Sequence, residues 1–83
     1  MSSHHPPLNY KQVIHGLKLM GFSMRAQKAT AHEQWEKKNA AGFYKVTVDK
    51  HLQPFGQMLI DSMSRQAGVS KKVFYQYCLD RPM

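Results

Sequence analysis

The sequence predicts an α+β domain in the order helix, three strands, helix, short helix. Three observations carry this reading. Apolar residues recur at helical spacing from Tyr10 to Met20, the period changes to two across segments between Phe22 and Asp49, and helical spacing returns after Pro54. A sheet face and a helix stripe must each be covered to make a core. The helices are therefore expected on one face of an antiparallel sheet, with the other face open.

Residues 1–8, with Ser2, Ser3, His4, His5, Pro6 and Pro7, offer little to bury and read as a flexible leader to a single domain over 9–83. In "NYKQVIHGLKLMG" the stripe Tyr10, Val13, Leu17, Met20 predicts helix 1 from Tyr10 to Met20. Asn9 is its N-cap and Gly21 its left-handed stop. Gly16, costly in mid-helix by roughly 1 kcal/mol against alanine, points to a close neighbouring backbone. His15 lies off the stripe and reads as solvated.

Phe22 and Met24 alternate with Ser23 and Arg25. "AHEQWEKK" places Ala31, Glu33 and Trp35 on one face and His32, Gln34 and Glu36 on the other. After "NAAG", "FYKVTVD" sends Tyr44, Val46 and Val48 one way and Phe43, Lys45 and Thr47 the other. Short links make this an antiparallel meander. With Trp35 and Val46 in the core, His32 and Lys45 share the open face, where Phe43 is a candidate to stack a base. Glu33 and Glu36 read as solvated charges or as partners of Lys45 and Lys37. Helix 2 is expected from about Phe55 to Gln66, with Leu59 and Met63 paired and Gly68 just beyond. Ser70 then caps a third helix, "KKVFYQYCL", whose apolar side is Val73, Phe74 and Tyr77.

The chain has 83 residues, of which 42% are hydrophobic, enough for one domain with a small core. A large cofactor cavity does not fit, and no cofactor is expected. No apolar run approaches the roughly 18 residues of a membrane span, and "MSSHHPPLNY" lacks the basic-then-apolar order of a signal peptide. A cytoplasmic location without membrane association is expected. The single cysteine, Cys78, excludes an intramolecular disulfide and reads as a packed thiol. Twelve Lys and Arg against five Asp and Glu give a net charge of +7, an attractive field for polyanions, of which nucleic acid is the commonest.

No C-x-x-C, no H-E-x-x-H and no clustered glycines occur, so neither a metal site nor a phosphate loop is expected. Two histidines, His32 and His51, are instead expected near Arg25, Lys28, Lys45 and Lys50. Cleaving RNA without a metal needs a base for the 2′-hydroxyl proton, an acid for the leaving 5′ oxygen and cations for the crowded phosphate. Histidine titrates near neutral pH and serves as either proton carrier, while Lys and Arg stabilise the developing charge.

From about Leu8 to Leu79 the chain resembles the HicA family of toxins from bacterial toxin–antitoxin pairs. The elements that carry the resemblance are "LKLMGF", "MRAQK", "TAHEQW", "KVTVDKH" and "SRQAGVSKKVFY", in the family's order. The resemblance implies a double-stranded-RNA-binding-domain-like fold and an endoribonuclease that cuts mRNA. It makes His32 the catalytic residue and His51 a supporting one, and it implies a HicB-type antitoxin as partner. Two departures stand out. Thr30 and Ala31 replace the family's glycine and serine before the histidine, and Asp49 replaces the proline after "VTV", next to His51. The alternatives are an RNA-binding module of similar fold, with His32 a contact rather than a catalyst, and a domain whose basic face meets an acidic protein.

Overall fold

The computed structural model describes residues 6–25 and 32–80. Helix α1 spans Tyr10–Leu19, strands β1, β2 and β3 span Ser23–Met24, His32–Asn39 and Gly42–Asp49, and helices α2 and α3 span Gln57–Ala67 and Lys71–Cys78. A 3-10 turn, Lys50–Leu52, follows β3. The strands form one antiparallel sheet in the order β1-β2-β3, so the expected α+β class and element order are those of the molecule.

The helix ends follow the local chemistry of the chain. Asn9 accepts a hydrogen bond from the Gln12 N–H, and the Gln12 side chain accepts one from the Asn9 N–H, closing a capping box at α1. Ser70 accepts from the Val73 N–H at the start of α3. Gly68, at φ +78°, ends α2 in a left-handed turn, and a side chain there would also strike the Tyr44 ring at 2.6 Å. Helix α2 begins at Gln57 rather than Phe55, because Phe55 is engaged elsewhere. Its backbone exchanges hydrogen bonds with Leu8, at 2.7 and 3.3 Å.

That bridge moves the domain boundary. Leu8, placed by sequence in the leader, is fully buried. Pro6 also accepts a hydrogen bond from the Tyr75 hydroxyl at 2.7 Å. A single leucine among prolines and histidines gives no periodic signal, yet its side chain completes the core. Residues 1–5 lie outside the described residues.

The core lies between the sheet and the three helices, around Leu17, Trp35, Val46, Val48, Ile60 and Phe74. Helix α1 packs on α3, and α2 packs on β3 and α3. The buried side of α3 is Phe74, Tyr75 and Cys78, whereas Tyr77, expected on the apolar side, is exposed. The helix is wedged between α1 and α2, so its inward face lies one residue round from the predicted stripe.

Gly16 is explained by this contact. A methyl group at position 16 would lie 2.6 Å from Cys78 Sγ and 2.9 Å from the Cys78 backbone nitrogen. His15, expected to be solvated, is half-buried, with its Nε2 3.1 Å from the Asp80 carbonyl oxygen it donates to. No helix among the described residues is long and apolar enough to cross a membrane.

Two expected outcomes follow from this packing. Gly16→Ala gains about 1 kcal/mol of helix propensity but overpacks against a backbone that cannot rotate away, at a cost of about 1–3 kcal/mol. Thermal unfolding should show a net loss of stability rather than the gain an exposed site would give. Burial also pushes the Cys78 thiol from 9.0 up to about 12. Burial first, and then the Glu33 carboxylate beside it, push the Tyr10 hydroxyl from 10.0 up to about 12. Both groups hold their protons longer folded than unfolded, so their contribution is complete below about pH 9 and is lost as the pH rises toward 12. Denaturant midpoints measured across that range should fall, and in Cys78→Ala the fall should begin about one pH unit later.

Candidate functional site

A tight turn at Ala40–Ala41 joins β2 and β3, with the Asn39 side chain accepting the N–H groups of Ala41 and Gly42 at 2.8 and 3.1 Å. Gly42 at φ +146° supplies the conformation that an L side chain resists. Counting outward from this turn, the register sets His32 opposite Asp49, Gln34 opposite Thr47, Glu36 opposite Lys45 and Lys38 opposite Phe43. All eight of these residues lie on the sheet face turned away from the core, because alternation sends Trp35, Val46 and Val48 inward.

At one end of this face His32 Nε2 lies 3.0 Å from Asp49 Oδ2. The imidazole is 63% exposed and the carboxylate only 17%, so the pair joins an accessible ring to a held anchor. The other carboxylate oxygen, Asp49 Oδ1, accepts the His51 backbone N–H at 3.0 Å. Asp49 neighbours His51 in the chain, yet its carboxylate meets the His32 ring, and His51 contributes only its backbone N–H. The reason is register. Asp49 ends β3 on the open face, directly opposite His32, while the 3-10 turn folds the His51 N–H back onto the Asp49 carboxylate.

The neighbouring pair is also fixed, with the Thr47 hydroxyl donating to Gln34 Oε1 at 3.0 Å. Arg25 continues the pairing of β1 through its N–H to the Gln34 carbonyl at 2.8 Å, and its guanidinium reaches Glu36 at 3.5 Å. Arg25 thus stands opposite Gln34, one same-face step along and one strand across from His32, with its guanidinium turned toward Glu36. Lys45 stands opposite Glu36, and Lys38 with the exposed Phe43 occupies the far end, roughly 20 Å from His32. The structure therefore brings His32, Arg25 and Lys45 to one face, and Phe43 with them.

Lys50 is not on that face. Its ammonium lies 3.5 Å from Glu33 and 5.4 Å from the centre of the Tyr10 ring, on the helix side of the sheet. It follows Asp49 by one residue, and alternation carries it to the opposite side. Lys28 lies outside the described residues, as do Thr30 and Ala31. His51 is exposed in the 3-10 turn.

The two glutamates also differ from their expected roles. Glu33 is buried, 6% exposed, with the Tyr10 hydroxyl 2.7 Å from both its oxygens and the Trp35 indole N–H donating to Oε1 at 3.1 Å. Glu36 pairs with Arg25 rather than with Lys37. Lys37 faces the helices, where it donates to the Met20 carbonyl at 3.2 Å and sits over the Phe22 and Tyr44 rings. Among the described residues no three His, Cys, Asp or Glu side chains are grouped to hold a metal ion.

At the His32 end of the open face a groove of about 240 Å3 separates the sheet from α2, with His32, Thr47 and Asp49 on one wall and Ser62 and Gln66 on the other. Sequence reasoning missed Asp49 as the partner of His32, although counting back from the Ala40–Ala41 turn would have paired them. It also missed α2 as a wall of the site. No protein family, characterised protein or solved structure matches the chain.

Glu33 is expected to carry stability, not chemistry. Glu33→Ala leaves the Trp35 N–H, the Tyr10 hydroxyl and the Lys50 ammonium without their shared acceptor, and should cost about 2–4 kcal/mol in a urea unfolding curve. The same variant, once folded, should keep the His32 ring in place as judged by its imidazole NMR signals.

Proposed function

We propose that this protein is a small endoribonuclease of the toxin type, cutting mRNA at a centre built on His32 and Asp49. The observation that carries the reading is the 3.0 Å contact between an exposed imidazole and a mostly buried carboxylate, on a sheet face that also bears Arg25 and Lys45. A carboxylate at that distance orients the ring and stabilises the imidazolium that forms when the ring takes a proton.

In the reaction, His32 takes the proton of a ribose 2′-hydroxyl, and that oxygen attacks the adjacent phosphorus. The bond from phosphorus to the 5′ oxygen breaks, and this oxygen is protonated by the imidazolium or by water. A 2′,3′-cyclic phosphate and a 5′-hydroxyl result. Arg25 and Lys45 supply positive charge along the path of the phosphate backbone, and Lys38 with Phe43 extends that path. The protein's net charge of +7 attracts a polyanion to the molecule. The resemblance to the HicA family supports His32 as the catalytic residue, though not Asp49, and it adds an acidic HicB-like antitoxin that would neutralise the enzyme by covering the open face and His32. No metal is required by this chemistry.

The test is incubation with labelled RNA in EDTA. The unaltered protein should cut, and His32→Ala should lose about 100- to 10,000-fold in rate, the usual contribution of a positioned acid–base group. Asp49→Asn should keep the fold yet lose about tenfold or more, because the amide no longer stabilises the imidazolium. Lys50→Ala should cut at the unaltered rate, since its ammonium belongs to the Glu33 cluster. If the protein binds RNA in a salt-dependent way and none of these proteins cuts it, the domain is an RNA-binding module and His32 a contact.

A further inference from the structure

The groove between α2 and the sheet has a chemistry of its own. Its floor is apolar, formed by the nearly sealed Phe55 and Met63 with Leu59 beside them. Its rim is polar and uncrowded by charge: Ser62 and Gln66 come from α2, and Thr47 from β3. Among the described residues, no lysine or arginine lines it, and the ionisable groups that do are the paired Asp49 and His32 side chains at one end. Beside Ser62 and Gln66 the lining offers a phosphate no counter-charge, and a wholly aliphatic group would leave the rim unpaired.

A flat, neutral group with an apolar face and hydrogen-bonding edges satisfies both the floor and the rim. The volume of about 240 Å3 falls below the roughly 300–1,000 Å3 of pockets that enclose drug-sized ligands, so a single ring system fits where a whole nucleotide does not. We propose that this groove is the subsite for one nucleobase of the RNA, the base adjoining the phosphate that lies at His32. Naming the neighbour as the scissile phosphate rests on the endoribonuclease reading; the recognition of a base does not.

The rim also sets which edge is read. Gln66 Oε1 accepts the Thr47 backbone N–H at 3.1 Å, which holds the side chain across the edge of β3. The amide nitrogen of Gln66 is the donor left to the groove, and it suits a base acceptor such as a ring nitrogen or carbonyl. The Thr47 hydroxyl donates its proton to Gln34 and so offers lone pairs, while the Ser62 hydroxyl can do either. Leu59 and the half-exposed Leu52 supply the apolar surface against which the base lies, as apolar and aromatic side chains do around extruded bases.

The experiment is an amide NMR titration of the full chain with the four nucleoside 3′-monophosphates and with ribose 5-phosphate, repeated on Ser62→Trp. Position 62 is exposed on α2, so the indole should fill the groove without disturbing the core. The proposal expects shifts at Thr47, Leu59, Ser62 and Gln66 with nucleotides and none with ribose 5-phosphate. It expects binding weakened about tenfold or more in Ser62→Trp, the scale of a lost base-stacking contact.

Equal shifts with ribose 5-phosphate, no shifts at these residues, or unchanged affinity in Ser62→Trp would overturn it. Cleavage distinguishes the two readings. If nucleotides bind in the groove but the protein cuts no RNA, the base subsite stands and the nuclease reading falls. If the protein cuts RNA through His32 with the same nucleotide preference in Ser62→Trp, the nuclease reading stands and the subsite falls.

Discussion

The tight turn at Ala40–Ala41 sets the register of the β2–β3 hairpin, and a slip of one residue would carry every β2 side chain to the other face of the sheet. The same register puts Trp35 beside Val46 in the core, Glu33 within reach of Tyr10, and His32 opposite Asp49. The Asn39 side chain and the positive φ of Gly42 enforce the turn, so the site is fixed by backbone geometry seven residues away from its histidine. The inward residues hold the register through burial, and the outward ones inherit their pairing from it.

The sheet separates two charged clusters with opposite duties. On the helix side, Glu33 accepts from Tyr10 and Trp35 and faces Lys50, so a carboxylate that burial would otherwise penalise is surrounded by donors. Removing any one partner costs stability because the rest are left in a poor solvent. On the open side, the His32 ring is wet and only Asp49 is held. That asymmetry suits a group that must exchange protons with a substrate while keeping its orientation. Lys50 and Asp49 are neighbours in the chain, yet alternation assigns one to each cluster.

The element order was readable from periodicity, because the stripe of α1 and the alternation of β2 and β3 are long and regular. The face of His32 followed from Trp35, whose bulk marks the inner side. The parts that were not readable depend on contacts between distant segments. Leu8 is buried through a bridge to Phe55, 47 positions along the chain by their numbers. Glu33 shares a face with Trp35, but its donors include Tyr10 on α1, whose approach depends on helix packing. Lys50 was grouped with His51 and Lys45 by proximity in sequence, and a strict application of strand alternation past Asp49 would have separated it. The wall that α2 lends to the site arises from its packing on β3, which no local pattern encodes. Gly16 is the reverse case: its position in mid-helix signalled a close approach, and Cys78 supplies it.

We propose that the His32–Asp49 pair activates a ribose 2′-hydroxyl, and two RNA oligonucleotides, identical except for a single 2′-deoxy residue at the mapped cut site, put this to the test. The all-ribose strand should be cut to a 2′,3′-cyclic phosphate and a 5′-hydroxyl, and the strand lacking the one hydroxyl should be spared at that position. Cutting of both strands at equal rates would rule the proposal out, because the nucleophile would then be something other than the 2′ oxygen.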